Sequence, residues 1–106
     1  MRTLKFVVDG QIIKKDPSCD FSGLIVGCKE LYAEFSFSPE WRDKKKAATF
    51  WKLGREFPVA LYEKDGNICK IPAAAVTHTQ FSVSVTRMEG KEFIKTNELL
   101  IEQERR

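Results

Sequence analysis

The side chains that could perform acid–base or nucleophilic chemistry are few and scattered along this sequence. A hydrolase triad needs a nucleophile, a base and a group that orients the base, whereas the only histidine, His78, lies in a polar segment, VTHTQ. The carboxylates show no paired spacing of the kind that glycosidases use. Gly23 and Gly27 lack the Lys-Ser/Thr that follows a phosphate-binding loop. We therefore predict no catalytic residue, no cofactor and no enzymatic activity.

The three cysteines, Cys19, Cys28 and Cys69, form no CxxC pair. Zinc sites need closely spaced ligand pairs, so we predict no metal site. The odd number of cysteines and the lack of a signal peptide favour free thiols over a disulfide. Ile68 and Ile71 flank Cys69, which indicates that this cysteine is a small core residue.

A basic run between two tryptophans is the strongest candidate for a binding surface. An exposed tryptophan beside this run would anchor an interface, because Trp and Arg are enriched at binding hot spots, and the positive charge could meet an acidic surface or a phosphate. Core packing is the first interpretation of both tryptophans, since each buries a large apolar area, and the interface role is the alternative. The lysines lie in a charged turn, so we expect that replacing all three barely alters folding. The candidate interface residues are Trp41, Arg42, Lys44, Lys45, Lys46 and Trp51.

Length and composition indicate one small globular domain, residues 1–106. The chain is 42% hydrophobic and 31% charged, which is typical of a folded chain rather than a disordered one. The net charge of +3 is modest and does not favour nucleic acid as a partner. No apolar run approaches the ~20 residues needed to cross a membrane. The N-terminus lacks the apolar core of a signal peptide, so we expect the protein to fold in the cytosol.

The clearest secondary-structure signal lies between Leu31 and Ser38, where apolar and polar residues alternate without a break. A period of two predicts a strand with one buried face. Pro39 ends this run, because proline cannot donate to a ladder, and a second strand is predicted at Ala47–Lys52. We expect these two strands to form a hairpin-like unit around which the rest of the chain is organised.

Further strand segments are predicted from apolar alternation between turn residues. They are Thr3–Val8, Gln11–Lys14, Val59–Tyr62, Ile68–Ile71, Phe81–Val85, Lys91–Thr96 and Leu99–Gln103. Asp9-Gly10 predicts a type I′ hairpin turn, Asp65-Gly66 predicts a second hairpin turn, and Gly54–Pro58 predicts a turn region. Ala73–Val76, which follows a proline, predicts one helical turn. Phe21–Gly27 is either a strand or an irregular segment packed on the core.

The spacing of these segments predicts the fold class. About seven to nine short strands at intervals of roughly 8–12 residues, with one short helical turn, are typical of an all-β antiparallel sandwich or barrel. A sandwich leaves edge strands, and we predict edges at the N-terminal hairpin and at Leu99–Gln103. We therefore expect a homo-oligomer, or a partner that covers one of these edges.

Four motifs, taken in order, resemble a known class of domain. They are FSPEW at 37–41, AATF at 47–50, KDGNICKIP at 64–72 and FSVSV at 81–85. This order is similar to that of small Ig-like β-sandwich domains in phage and prophage tail, baseplate and other virion-associated proteins from Gram-positive hosts. The similarity spans residues 31–101 and the opening strand. It implies an Ig-like sandwich that acts as a structural module, and it implies no catalytic or cofactor residue.

Two functions follow from this resemblance. The first is a non-enzymatic tail, baseplate or capsid accessory module that contacts other proteins, either copies of itself or virion components. The alternative is a small phage-encoded inhibitor that binds a host defence protein or a signalling nucleotide, with the basic loop 42–46 as its binding surface. Either function implies a protein located in the virion or in the host cytoplasm.

Overall fold

A computed structural model describes residues 1–105 and confirms the all-β prediction. It contains nine strands: β1 (Arg2–Asp9), β2 (Ile12–Lys15), β3 (Leu31–Phe37), β4 (Lys46–Lys52), β5 (Arg55–Leu61), β6 (Ile68–Lys70), β7 (Gln80–Glu89), β8 (Glu92–Lys95) and β9 (Leu99–Glu102). Short 3-10 turns cover Pro39–Trp41, Glu63–Asp65 and Ala73–Val76. The last of these is the predicted helical turn.

The strands form two sheets that share one hydrophobic core. The first sheet has the order β2-β1-β3-β6, and the second has the order β5-β4-β7-β8, with β9 also paired to β7. β8 and β9 lie one after the other along the same side of β7, because β4 occupies its other side. Both sheets contribute large core side chains, such as Phe6 from β1, Phe50 from β4 and Phe81 from β7. Both predicted edges are confirmed, since β2 and β9 each pair with a single strand.

One strand pair departs from the predicted antiparallel arrangement. β1 and β3 run parallel, with Arg2 opposite Leu31 and Val8 opposite Phe37. Parallel neighbours need a long connection, and the residues between β2 and β3 supply much of it. Within that connection, Phe21–Gly27 is an irregular segment rather than a strand. Leu24 is buried in the core, and Ile25 makes an isolated parallel bridge to Glu104.

The hairpin-like unit predicted from β3 and β4 is wrong, because these two strands belong to different sheets. The 3-10 turn at Pro39–Trp41 begins the passage of the chain from one sheet to the other. The predicted hairpin at Asp65-Gly66 is wrong for the same reason, since β5 lies in the second sheet and β6 in the first. A period of two identifies the buried face of a strand but does not identify its neighbour.

The turn predicted at Gly54–Pro58 is also wrong, because β5 already begins at Arg55. The hairpin between β4 and β5 instead turns at Leu53 and Gly54, with φ angles of 50° and 80°, the pattern of a type I′ turn. A leucine at positive φ is rare, which hid this hairpin from sequence analysis. Pro58 is tolerated inside β5 because β5 is an edge strand.

The first hairpin lies where it was predicted, but its turn differs in type. Asp9 pairs with Ile12, so the two central residues are Gly10 and Gln11. Only Gly10 has a positive φ, of 59°. Positive φ at the first central residue alone corresponds to type II′ rather than type I′.

A one-residue bulge separates β8 from β9 and connects the two sheets. β7 pairs Thr86 with Lys95 and Val83 with Leu99, so the partner strand has one extra residue. In this bulge Asn97 reaches the first sheet, where its Oδ1 accepts a 2.9 Å hydrogen bond from the Ile13 amide. This contact fixes the predicted kink and occupies part of the outer edge of β2.

Candidate interaction surface

Trp41 is fully buried and closes one end of the core. Its Nε1 donates a 2.8 Å hydrogen bond to the Gly10 carbonyl, so the indole is satisfied inside the protein. Its ring contacts Phe37 at 5.1 Å between ring centres, and the Arg87 guanidinium lies 4.6 Å from the ring centre. Trp41 is therefore a core residue, and its prediction as an interface residue is corrected.

Lys46 is the second correction, because its side chain is only 1% exposed. It lies on the inner face of β4 with Ala48 and Phe50, as the period of two requires. Its Nζ donates to the Trp41 carbonyl at 2.9 Å, to the Lys44 carbonyl at 3.2 Å and to Glu63 Oε1 at 2.9 Å. The structure thus contradicts the expectation that all three lysines can be replaced with little effect on folding.

The rest of the basic loop is partly neutralised. Lys44 Nζ lies 3.1 Å from Glu89 Oε2, and Arg87 Nε lies 3.1 Å from Glu89 Oε1. The hydrogen bond from Lys44, followed by that from Arg87, lowers the pKa of Glu89. Arg42 and Lys45 are exposed and form no salt bridge with any residue from 1 to 105. These two cations are the part of the predicted surface that remains open.

Trp51 lies on the opposite face of β4 from Lys46 and five residues further along. At about 3.4 Å per residue the two are roughly 17 Å apart, so the predicted interface residues do not form one site. Trp51 is half-buried and donates from Nε1 to Ser84 Oγ at 3.1 Å. Lys95 Nζ lies 4.5 Å from the ring centre. The indole therefore extends across β7 towards β8 and covers Ser84, which is fully buried.

Three further apolar side chains point outward from the same face of the second sheet. Met88, Phe93 and Leu100 are 41%, 69% and 46% exposed. Met88 lies directly opposite Phe93, and Leu100 lies opposite Ser82. We call the surface formed by Trp51, Met88, Phe93, Lys95 and Leu100 the Trp51 face. Sequence analysis missed most of it, although Met88 is out of phase with the inward residues of β7.

The predicted free thiols are confirmed for all three cysteines. Cys69 is buried, as predicted, and burial raises the pKa of its thiol to about 12. His78 is half-buried. Among residues 1–105, no group of three or more His, Cys, Asp and Glu side chains could hold a metal ion. No helix in the same range has the length and apolar character needed to cross a membrane.

No protein-family model matches this sequence, and neither a curated protein nor a solved structure matches it. The resemblance to Ig-like virion domains therefore stays a prediction from the sequence motifs. The Trp51 face, with its exposed aromatic and aliphatic side chains, is the surface from which function can be inferred.

Proposed function

We propose that this protein is a non-enzymatic assembly module that acts through protein–protein contact. Its contact surface is the Trp51 face, and its first partner is a second copy of the chain. The observation that carries this proposal is a tryptophan lying across a sheet face on which Met88, Phe93 and Leu100 are also exposed. These side chains are spread over about 20 Å of one sheet face, from Ser82 to Met88 along β7. Exposed apolar side chains gathered on one face mark interaction sites, and tryptophan is enriched at binding hot spots.

The charges around the Trp51 face suit a second copy of the same surface. Lys95 lies beside the Trp51 ring, while the exposed residues Glu56 and Glu102 occupy outward positions on the flanking strands β5 and β9. A two-fold contact brings the same patch of both copies together. A face that carries both signs can then place its lysine against a glutamate of the other copy, which favours correct docking.

The size of this face predicts a weak dimer. β4 has seven residues, which span about 24 Å, and four neighbouring strands span about 19 Å, giving roughly 450 Å² of flat area. A standard stable interface buries about 800 Å² per partner. We therefore expect association that is detectable at high protein concentration and lost on dilution.

The biological setting in this proposal comes from the sequence resemblance, which supports a tail, baseplate or capsid accessory role in the virion or the host cytoplasm. The alternative, an inhibitor of a host defence protein or a binder of a signalling nucleotide, used the basic loop as its surface. Lys44 and Lys46 are paired with Glu89 and Glu63. The geometry therefore favours the contact module over this alternative.

Sedimentation velocity over a wide concentration series tests the proposal. We expect Phe93→Lys and Leu100→Lys to remain monomeric where the wild type associates, because each places a charge in the apolar contact. Ile12→Lys is the matched control, since Ile12 is an exposed strand residue on the first sheet. All variants should melt like the wild type. Association that survives both Trp51-face variants, or a wild type that never associates, contradicts the proposal.

A further inference from the structure

A groove runs along the outer edge of β9. Its volume is about 590 Å³, within the range of about 300–1,000 Å³ that is usual for ligand sites. One wall is the β9 edge and its continuation, and the other is the loop 21–24. The lining residues are Lys15, Phe21, Ser22, Gly23, Leu24, Leu100, Ile101, Glu102, Gln103 and Glu104.

Backbone groups of β9 point into this groove. Leu99 and Ile101 pair with Val83 and Phe81 of β7, and the Gln103 amide donates to the Thr79 carbonyl. Along 99–104, the backbone N–H and C=O groups of odd-numbered residues therefore point towards β7. Those of even-numbered residues point away from β7, into the groove.

The segment after Gly23 shows how this outward edge is used. The Glu104 amide donates to the Leu24 carbonyl at 2.6 Å, and the Val26 amide donates to the Glu104 carbonyl at 2.9 Å. The outward groups of Leu100 and Glu102 have no backbone partner among residues 1–105. Within residues 1–105, one end of this edge is thus paired with the segment 24–26, and the outward backbone groups of Leu100 and Glu102 are open.

The far wall of the groove is held in place before any ligand binds. Gly23 has a φ of 68° and lies in a turn immediately before Leu24, whose carbonyl accepts from the Glu104 amide. The Arg2 guanidinium donates to the carbonyls of Asp20 and Ser22 at 3.0 and 2.5 Å. The Phe21 ring packs edge-on against Phe6, with 5.5 Å between the ring centres. A preformed wall avoids the cost of ordering a loop on binding.

Two other sheet edges are protected, whereas this part of β9 is not. On β5, Pro58 has no N–H to offer an incoming strand. On β2, the Ile13 amide already donates to Asn97, and the Gln11 carbonyl accepts from the Asn97 amide. Proteins commonly block edge strands against unwanted pairing, so an open edge inside a walled groove indicates use.

We propose that this groove binds an extended peptide that adds to β9 as an extra strand. The backbone groups of Leu100 and Glu102 would supply the hydrogen bonds, as in other cases of strand addition. Loop 21–24 lines the side of the groove opposite β9, so the ligand that we propose is a single extended chain rather than the edge of a second sheet. The groove borders the Trp51 face at Leu100 and Glu102, but strand addition uses the outer backbone edge of β9 and does not depend on self-association.

The lining residues define the chemistry of the peptide. Side chains of an added strand alternate between two faces. The two peptide side chains that lie beside Leu100 and Glu102 are therefore two residues apart on the same face of the peptide. An apolar peptide residue fits beside Leu100, and a lysine or arginine two positions away fits beside the exposed carboxylate of Glu102. Cross-strand pairs of this kind favour the matching register. The ligand class is therefore an extended peptide with an apolar-x-basic pattern.

A random octapeptide display library is the probe that tests this site, followed by N-methylation of the strongest binder at each backbone nitrogen. We expect enriched peptides to carry the apolar-x-basic pattern. Methylation at alternate nitrogens, those facing β9, should weaken binding about tenfold or more, the effect of losing one hydrogen bond. Methylation at the intervening nitrogens should leave affinity almost unchanged. A library without enrichment, or a binder insensitive to the position of the methyl group, overturns the proposal.

Variants of Glu102 test the same site from the protein side. Glu102→Pro removes an N–H that faces the groove and is not part of the pairing with β7, so the fold should persist while peptide binding falls about tenfold or more. Glu102→Ala keeps the N–H, so its peptide binding should lose only the preference for a basic residue. A Glu102→Pro variant that binds peptides normally, or that loses only self-association, overturns the proposal. If this variant fails to fold, the N-methylation series decides.

Discussion

Replacing Lys46 by methionine tests whether its buried ammonium group holds one end of the sandwich together. Methionine retains most of the packing of the lysine side chain but cannot donate a hydrogen bond. In the wild type, Lys46 Nζ donates a buried 2.9 Å hydrogen bond to the Trp41 carbonyl. The methionine variant leaves this carbonyl without that donor. The side chain of Glu63 is 39% exposed, so its carboxylate can be hydrated instead. The part-buried Lys44 carbonyl also loses its donor. The main loss is thus the buried Trp41 acceptor, and leaving such a group unsatisfied costs about 1–3 kcal/mol.

Thermal and urea unfolding measure this loss. At roughly 4–5 °C per kcal/mol for a domain of this size, we expect the Tm of Lys46→Met to fall by about 4–15 °C. Lys45→Met is the matched control, because it removes the same charge from an exposed neighbour and should stay within about 0.5 kcal/mol of the wild type. Equal melting of the two variants would refute the structural role of Lys46.

Three further predictions concern other parts of the fold. Asn97→Ala should lower the free energy of unfolding by about 0.5–1.5 kcal/mol and speed hydrogen exchange of the Ile13 amide. Unchanged exchange would show that the Asn97 hydrogen bond does not connect the two sheets. The Lys46 hydrogen bond lowers the pKa of Glu63 below its ordinary 4.5, so its contribution to stability is complete above pH 4.5 and is lost as pH falls through the lowered value. An acid series of urea midpoints should show that decline, and a flat series would contradict it. A thiol reagent at mildly alkaline pH should modify the two half-buried cysteines first and Cys69 only after denaturation, whereas equal rates would contradict its burial.

Strand positions could be predicted from the sequence because alternation reports burial directly. β3 and β7 show this pattern most clearly, and both keep their predicted apolar faces inside. The pairing of the strands could not be predicted. Alternation is the same whether β3 lies beside β4 or, as observed, between β1 and β6. The turn at Leu53-Gly54 escaped notice because leucine at positive φ contradicts local propensity.

The candidate site was predicted only in part. The predicted interface grouped Lys46 with Trp51, although these residues lie on opposite faces of β4. Lys46 has the same phase as the core residue Phe50, whereas Trp51 has the opposite phase. The alternation of faces along a strand could be applied to the sequence, and it would have assigned Lys46 and Trp51 to different faces. For Trp41 the sequence left core packing and an interface role both open, because its burial depends on a 3-10 turn and on a hydrogen bond to Gly10 in a distant hairpin.

The most direct test of the Trp51 face is an isotope-filtered NOE experiment on an equal mixture of labelled and unlabelled protein at high concentration. The account predicts intermolecular NOEs from the Trp51 indole of one copy to Phe93 and Leu100 of the other, which disappear in Leu100→Lys. Intermolecular NOEs confined to the first sheet or to the β9 edge, or none at any attainable concentration, would contradict it.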